Sequence, residues 1–341
     1  KHAFFMPSSQ GPCRFGQYAA LHRQILDREG FRDVPIMCPT HYRGLAGLDE
    51  TVRRSLWKAM VAGDILMKAG CRVRPYEREP GATDRLLERH CRRLARVIER
   101  GGDLERAVRV LTASLAALPV RDEPRRPVVG VVGEIYVRNN LFANEEVVRT
   151  VERVGAEVWI APLAEWVLFA TSMRNVFEHY DRRFSPELLG AFMKWHWMAH
   201  WERRLYAAAS PLLDDRHEPD LDEVLGEAAA YLPDSVGGEA LLTVGRAVKF
   251  AQQGAVAVVN VSPFGCMPGT VAAALFREIS LETRVPVVNM FYDGTGGQNR
   301  RLEVHLRTAM SAGGARRPQP VMSAEDDGEP ELALAPSRTL W

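Results

Sequence analysis

Three short, almost wholly apolar runs constrain this chain more than any other feature: VVGVVG at 128–133, AVAVVNV at 255–261 and VPVVNMF at 285–291. Each lacks the apolar–polar alternation of a sheet with one wet face, and each is followed by a segment of helical period. A strand that is apolar on both sides needs cover on both sides. Helices crossing between parallel strands supply it. The pattern predicts an α/β fold with a doubly wound parallel sheet.

The second half is predicted to run strand 128–133, helix near 144–154, strand 157–162, helices to about 231, helix 238–253, strand 255–261, helix 269–279, strand 285–291 and helix 299–309. The block 163–231, rich in Trp, Met and His, reads as a helical insertion. The first half opens with the short apolar stretch AFFMP and a helix in QYAALHRQILDREG closed by Gly30. DVPIMCPT at 33–40 is a short strand. A helix follows over 50–69, on which Val52, Leu56, Trp57, Met60, Ile65 and Met67 recur with helical spacing. One long Arg-rich surface helix is expected over 83–117. The proline-punctuated VRDEPRRP at 120–127 divides the chain, so the expected units are a partial N-terminal α/β domain with long helices at 1–122 and a C-terminal α/β domain at 126–310. Residues 311–341 lose periodicity and carry EDDGEPE, which predicts a mobile tail.

Charge and length exclude several classes of function. The 341 residues carry 44 Lys and Arg against 43 Asp and Glu. A net charge of +1 does not make a phosphate-tracking surface, so nucleic acid is not an expected partner. No apolar run approaches the roughly 18 residues of a membrane span, and no signal-peptide pattern is present, which points to the cytoplasm. Five cysteines at irregular spacing do not form a secreted disulfide framework. The chain opens on Lys1 directly into a motif-dense segment, so a further upstream portion of the natural protein is expected.

In open α/β sheets, ligands bind beyond the carboxyl ends of strands. Three rich segments fall there: GEIYVRNN, SPFGCMPG and YDGTGGQNRR. Cys266 follows Gly265 and stands just ahead of a predicted helix, whose N-terminus favours the thiolate form that binds metal or attacks. Cys13, in GPC, stands ahead of the helix beginning near Gln17. No CxxC pair exists, so spacing by itself does not make a metal site, and small structural thiols are the competing reading. Cys38 ends a strand before Pro39 and could face the same site or a core; Cys71 and Cys91 read as structural. Glu134 lies just past a buried strand, where desolvation would move its pKa toward an acid–base range. Its alternatives are an ion pair with Arg138 or a helix cap. Asp293, Gly294, Gly296 and Gly297 form a turn whose N–H groups could hold a phosphate or carboxylate. His196 and His200 share a helix face, but without an HExxH glutamate they read as part of a helix packed through Trp195, Trp197 and Trp201. There is no P-loop, and GVVGE is too short for a dinucleotide fingerprint.

MPSSQGPCRFGQY, GLAGLDETVRRSLWKAMVAGDIL, RPYEREPGATD, VGVVGEIYVRNNLFANEEVV, SPFGCMPGT and DGTGGQNRRLE together resemble the 2-hydroxyacyl-CoA dehydratase superfamily. Within it they are closest in pattern to the large acyl-CoA dehydratase activase-related branch, in collinear order over roughly 2–308. The resemblance implies flavodoxin-like α/β domains that cradle an oxygen-sensitive iron–sulfur cluster used in anaerobic metabolism. In the dehydratases, which are lyases, three cysteines hold a 4Fe–4S cluster with one iron open, and a separate ATP-hydrolysing activase delivers a low-potential electron. A ketyl radical then forms on the acyl-CoA substrate. A sister branch holds a double-cubane cluster and reduces small molecules.

Cys13 and Cys266 match the family's second and third cysteine motifs. The first, in a CLP-type segment, precedes the GPC motif in the family and is not in this chain, so the resemblance implies a third ligand in the expected upstream portion, with Cys38 as the possible substitute within the chain. The implied partners are an activase, in some members fused upstream, and a homologous subunit. The expectation is therefore a cluster-bearing dehydratase or reductase component, the alternatives being a non-catalytic cluster or electron-carrier scaffold and a plain α/β ligand-binding domain.

Overall fold

The computed structural model describes residues 2–6, 8, 13–38, 49–172, 186–213 and 218–313. At the start, Phe4–Phe5 (β1) and Ile36–Met37 (β2) pair in parallel, connected through helix Tyr18–Arg28 (α1). The predicted stop at Gly30 is present: its φ of 84° is a left-handed conformation that glycine adopts without a Cβ penalty.

Helix Glu50–Val73 (α2) begins where Asp49 accepts the Thr51 N–H at 2.7 Å. It buries Trp57, Val61, Ile65 and Ala69. The single Arg-rich helix expected over 83–117 is instead two, Ala82–Glu99 (α3) and Leu104–Ala116 (α4). Gly101 turns left-handed (φ 62°), and Asp103 caps α4 by accepting the Arg106 N–H at 2.9 Å. Gly-Gly-Asp is a stop followed by an N-cap. Nor do these helices simply lie on the surface, since Leu86, Leu94, Val108, Leu111 and Leu115 are buried along one face.

The second half contains the predicted sheet. Val128–Gly133 (β3), Glu157–Ile160 (β4), Ala257–Pro263 (β5) and Val287–Tyr292 (β6) are all parallel, in the order β4-β3-β5-β6. Ranked by sequence within the sheet this is 2-1-3-4, the winding of flavodoxin-like folds. Helices Ile135–Asn139 (α5), Val147–Arg153 (α6), Leu163–Ala170 (α7), Pro186–Leu213 (α8), Leu221–Ala228 (α9), Glu239–Gln252 (α10), Met267–Thr283 (α11) and Asn299–Gly313 (α12) connect and flank the strands.

Cover on both faces accounts for the apolar runs. Val129 and Val131 pack with Val151, Leu302 and Leu306, whereas Val132 and Val258 pack with Phe250 and Phe276. Each such side chain contributes about 1.5–3 kcal/mol on burial. Gly130 is glycine because a Cβ there would meet the Phe250 ring at 2.3 Å.

Helices α7, α8 and α9 are the described part of the insertion at 163–231; residues 173–185 and 214–217 lie outside the described residues. Helix α8 packs on α2 and α4, and the Trp57 indole donates to the Met198 carbonyl at 3.0 Å. Its Trp-rich face is a packing face, with Trp195, Trp197 and Trp201 against the core. Helix α12 continues to Gly313, three residues into the segment expected as tail, and 314–341 lie outside the described residues. Among the described residues, no helix is long and apolar enough to cross a membrane.

Candidate functional site at the sheet switch point

The chain places β4 on one side of β3 and β5 on the other, so the winding reverses between β3 and β5. Neighbouring loops leave in opposite directions there, and a crevice opens at the carboxyl ends of the strands. Strand β3 ends at Gly133, whose φ is 111° and where a Cβ would sit 2.1 Å from the Val261 carbonyl oxygen. Only glycine lets the two strand ends come this close. Glu134 follows at once.

Strand β5 hands over to Cys266 through a tight turn in which the Cys266 N–H donates to the Pro263 carbonyl at 3.0 Å. Cys266 is the N-cap of α11, and its sulfur accepts the Gly269 N–H at 3.4 Å. Cys13 holds the equivalent place on a short 3-10 turn, Arg14–Gln17, where its sulfur accepts the Phe15 N–H at 3.5 Å. Arg14 joins the two loops. Its guanidinium donates to the Gly265 carbonyl at 2.7 Å and to the Phe264 carbonyl at 3.4 Å. Two cysteines from opposite ends of the chain are thereby brought into one another's electrostatic field.

Their ionisation differs from the expectation. Burial pushes the Cys266 thiol up to about 11, more than the Gly269 N–H pulls it down, and the carboxylates of Glu239 and Glu134 add to the rise. Cys13 is raised for the same leading reason. Both are protonated at neutral pH, so neither is a spontaneous nucleophile. A thiol in this state ionises when a metal takes the proton's place.

Glu134 turns out to be a helix cap. Its two oxygens accept the Tyr136 and Val137 N–H groups at 3.1 and 2.8 Å. The Arg138 guanidinium does not bond this carboxylate but donates to the Gly133 and Pro162 carbonyls at 2.6 and 3.2 Å. The acid beside them is Glu239, the first residue of α10, which no motif marked. Its only local signal is the pair Gly237 and Gly238 before it, both at positive φ (62° and 71°). Burial first, then the charge of Glu134, outweigh Arg138 and push the Glu239 carboxyl up to about 8.

The structure does not bring Cys38 to this place: it is exposed beyond β2. Gly294, Gly296 and Gly297 lie in the β6–α12 loop at the same sheet edge, each with φ 82° and open space around. They shape a turn in which Asp293 accepts from the Thr295 N–H at 2.9 Å. His196 binds its own helix, with Nδ1 2.9 Å from the Phe192 carbonyl. A cavity of about 330 Å³ lies elsewhere, beside β4, lined by Lys68, Tyr206 and Glu218 among others and by neither Cys13 nor Cys266.

Among the described residues, no group of three or more His, Cys, Asp or Glu side chains is arranged to hold a metal ion. The chain thus brings together two soft donors, one fewer than an open-iron cubane needs. The chain matches no known protein-family model and no curated protein.

Proposed function

We propose that this chain is the cluster-bearing component of a system resembling the 2-hydroxyacyl-CoA dehydratases, with Cys13 and Cys266 as two thiolate ligands of an iron–sulfur cluster. The observation that carries the reading is the Arg14 clamp, which fastens the Cys13 loop to the Cys266 loop at the sheet's switch point. Soft thiolates select such clusters. The raised thiol pKa values tell against a nucleophilic role at neutral pH, since an unmetallated thiol here stays protonated.

Cys38, exposed beyond β2, does not complete the set, and a homologous subunit would supply the third thiolate. When bound, the cluster supplies a low-potential electron, for acyl-CoA dehydration or, in a double-cubane form, for reduction of a small molecule. In the segments that follow β3 and β5, Phe142 and Phe264 are 95% and 74% exposed and Tyr136 and Leu141 are exposed as well, which supports a surface that works against an activase.

The full-length protein, expressed anaerobically with iron, tests this by absorption and EPR spectra. Wild type is expected to carry cluster signals that Cys13→Ser and Cys266→Ser lose, and Arg14→Ala to weaken iron retention about 10–100-fold as a supporting residue does. A colourless wild type, or unchanged spectra in both serine variants, overturns the ligand assignment. Adding activase, ATP and acyl-CoA separates a dehydratase from an electron carrier: the carrier gives oxidation and reduction without product.

A further inference from the structure

The cavity beside β4 is built from other elements than the switch point. Its floor is buried: Lys68 and Arg72 of α2, one helical turn apart, with Val158 and Trp159 of β4. Helix α8 supplies Arg203, Tyr206 and Ser210 as the facing wall, and the exposed Arg203 marks the mouth. Spacings of three and four residues put these side chains on one face of α8, with rises of about 4.5 and 6 Å between them.

The acids here are engaged, whereas the donors of α8 are not. Glu218 accepts from Lys68 at one oxygen and from Arg246 at the other, the latter at 2.7 Å. Glu157 is held by Arg72 and by the Tyr76 hydroxyl at 3.1 and 2.8 Å. Tyr206 accepts the Lys68 ammonium at 2.9 Å, yet its own O–H meets no acceptor among the described residues. Nor, among those residues, does the Arg203 guanidinium or the Ser210 hydroxyl make a hydrogen bond or an ion pair. Lys68, Arg72 and Arg203 are answered only by Glu218 and, beneath Arg72, Glu157, so one positive charge is left over.

We propose that the cavity between α2, α8 and β4 binds a small monocarboxylic acid. The carboxylate accepts from the Arg203 guanidinium, whose planar fork matches it in geometry, and from the Tyr206 and Ser210 hydroxyls. The rest of the ligand is compact and apolar, since Val158, Trp159 and Leu213 complete the lining. A volume of about 330 Å³ is at the small end for ligand pockets and sets a metabolite-sized limit. One surplus charge selects a monoanion: a phosphate monoester, nearly doubly charged at neutral pH, brings a second charge with no cation to answer it. An amine would face Lys68 and Arg72. The site is separate from Cys13 and Cys266 and does not rest on reading them as cluster ligands.

Calorimetric titration of the full-length protein with benzoate, and with benzamide as its neutral isostere, tests the site. Benzoate is expected to saturate one site per chain and benzamide to bind about tenfold more weakly or less, the difference a hydrogen bond to a charged group makes. Arg203→Gln is expected to weaken benzoate about tenfold, and so is Tyr206→Phe, which removes the O–H and keeps the ring. Benzyl phosphate and inorganic phosphate are expected to bind more weakly than benzoate. No saturable benzoate binding, equal binding of benzamide, or unchanged benzoate affinity in both variants overturns the proposal. Tighter binding of either phosphate compound overturns the choice of a carboxylate. Benzoate against benzamide is measured on wild type alone and decides the matter if a variant does not fold.

Discussion

At Gly133 two requirements meet in one residue. Its left-handed φ excludes most side chains, and its Cα lies so near β5 that a methyl group would overlap the Val261 carbonyl. Gly133→Ala is therefore expected to cost about 2–4 kcal/mol, from strain plus displacement of the β3–β5 register. Urea denaturation measures it; a loss below about 0.5 kcal/mol, the range of an indifferent surface change, would show that the strand ends part without penalty. Cys13 and Cys266 stand out at this scale only as thiols in turns ahead of helices, and it is the family resemblance that makes them ligand candidates. Glu239 does not stand out. Nothing in SVGGEA distinguishes an acid turned into a crevice from one facing water, and only the packing of α10 against β3 and β5 separates the two cases.

Between elements, buried charge does what apolar contact cannot. Arg246 on α10 is fully buried and donates to Glu165 of α7 through Nε and Nη2 at 2.9 and 2.7 Å, and to Glu218 through Nη1 at 2.7 Å. Lys68 of α2 pairs with the same Glu218 and with the Tyr206 hydroxyl of α8. Asp64 of α2 accepts the Leu163 and Ala164 N–H groups at 2.9 Å each and so caps α7. Removing one member leaves an uncompensated charge, so Arg246→Ala is expected to cost about 3–5 kcal/mol. Glu88→Ala, which breaks the exposed Arg92 pair on α3, is expected to cost less than about 1 kcal/mol. Thermal and urea unfolding of the two variants compare them, and equal losses would show that the buried network is not what joins these helices. The strands were readable because apolar runs need no partner to be recognised. The α3–α4 break is hidden in the periodicity although Gly-Gly-Asp stands in the sequence, since the helical period resumes in nearly the same phase on the far side.

For the whole molecule, α2 and α4 share one apolar core with α7 to α11. A group buried at one edge therefore contributes to global stability. Glu239 and Glu202 are both pushed up to about 8, chiefly by burial. An unfolded glutamate titrates near pH 4.3, so between these limits the folded chain binds more protons than the unfolded one. Their contribution is complete below the unfolded pKa and is lost as pH rises through about 8. Denaturant midpoints are expected to fall from mildly acid to mildly alkaline pH, and to fall less in Glu239→Gln. A wild-type midpoint that rises over this range would contradict the buried, protonated state.

The sequence by itself determined the alphabet of elements. Apolar runs dictated strands that need cover on two faces, helical spacing dictated the covers, and glycines and acids placed most of the ends, because each of these depends on residues within a turn or two of one another. The tertiary structure decided the order of strands, and with it the position of the switch point between β3 and β5. It also decided that Arg14 ties the Cys13 loop to the Cys266 loop, that Glu134 caps a helix and that Glu239 opens the helix packed on β3 and β5. Those outcomes depend on which surfaces meet after the chain crosses over. Burial and charge at a meeting of distant segments are properties of the packed whole, which no local pattern contains.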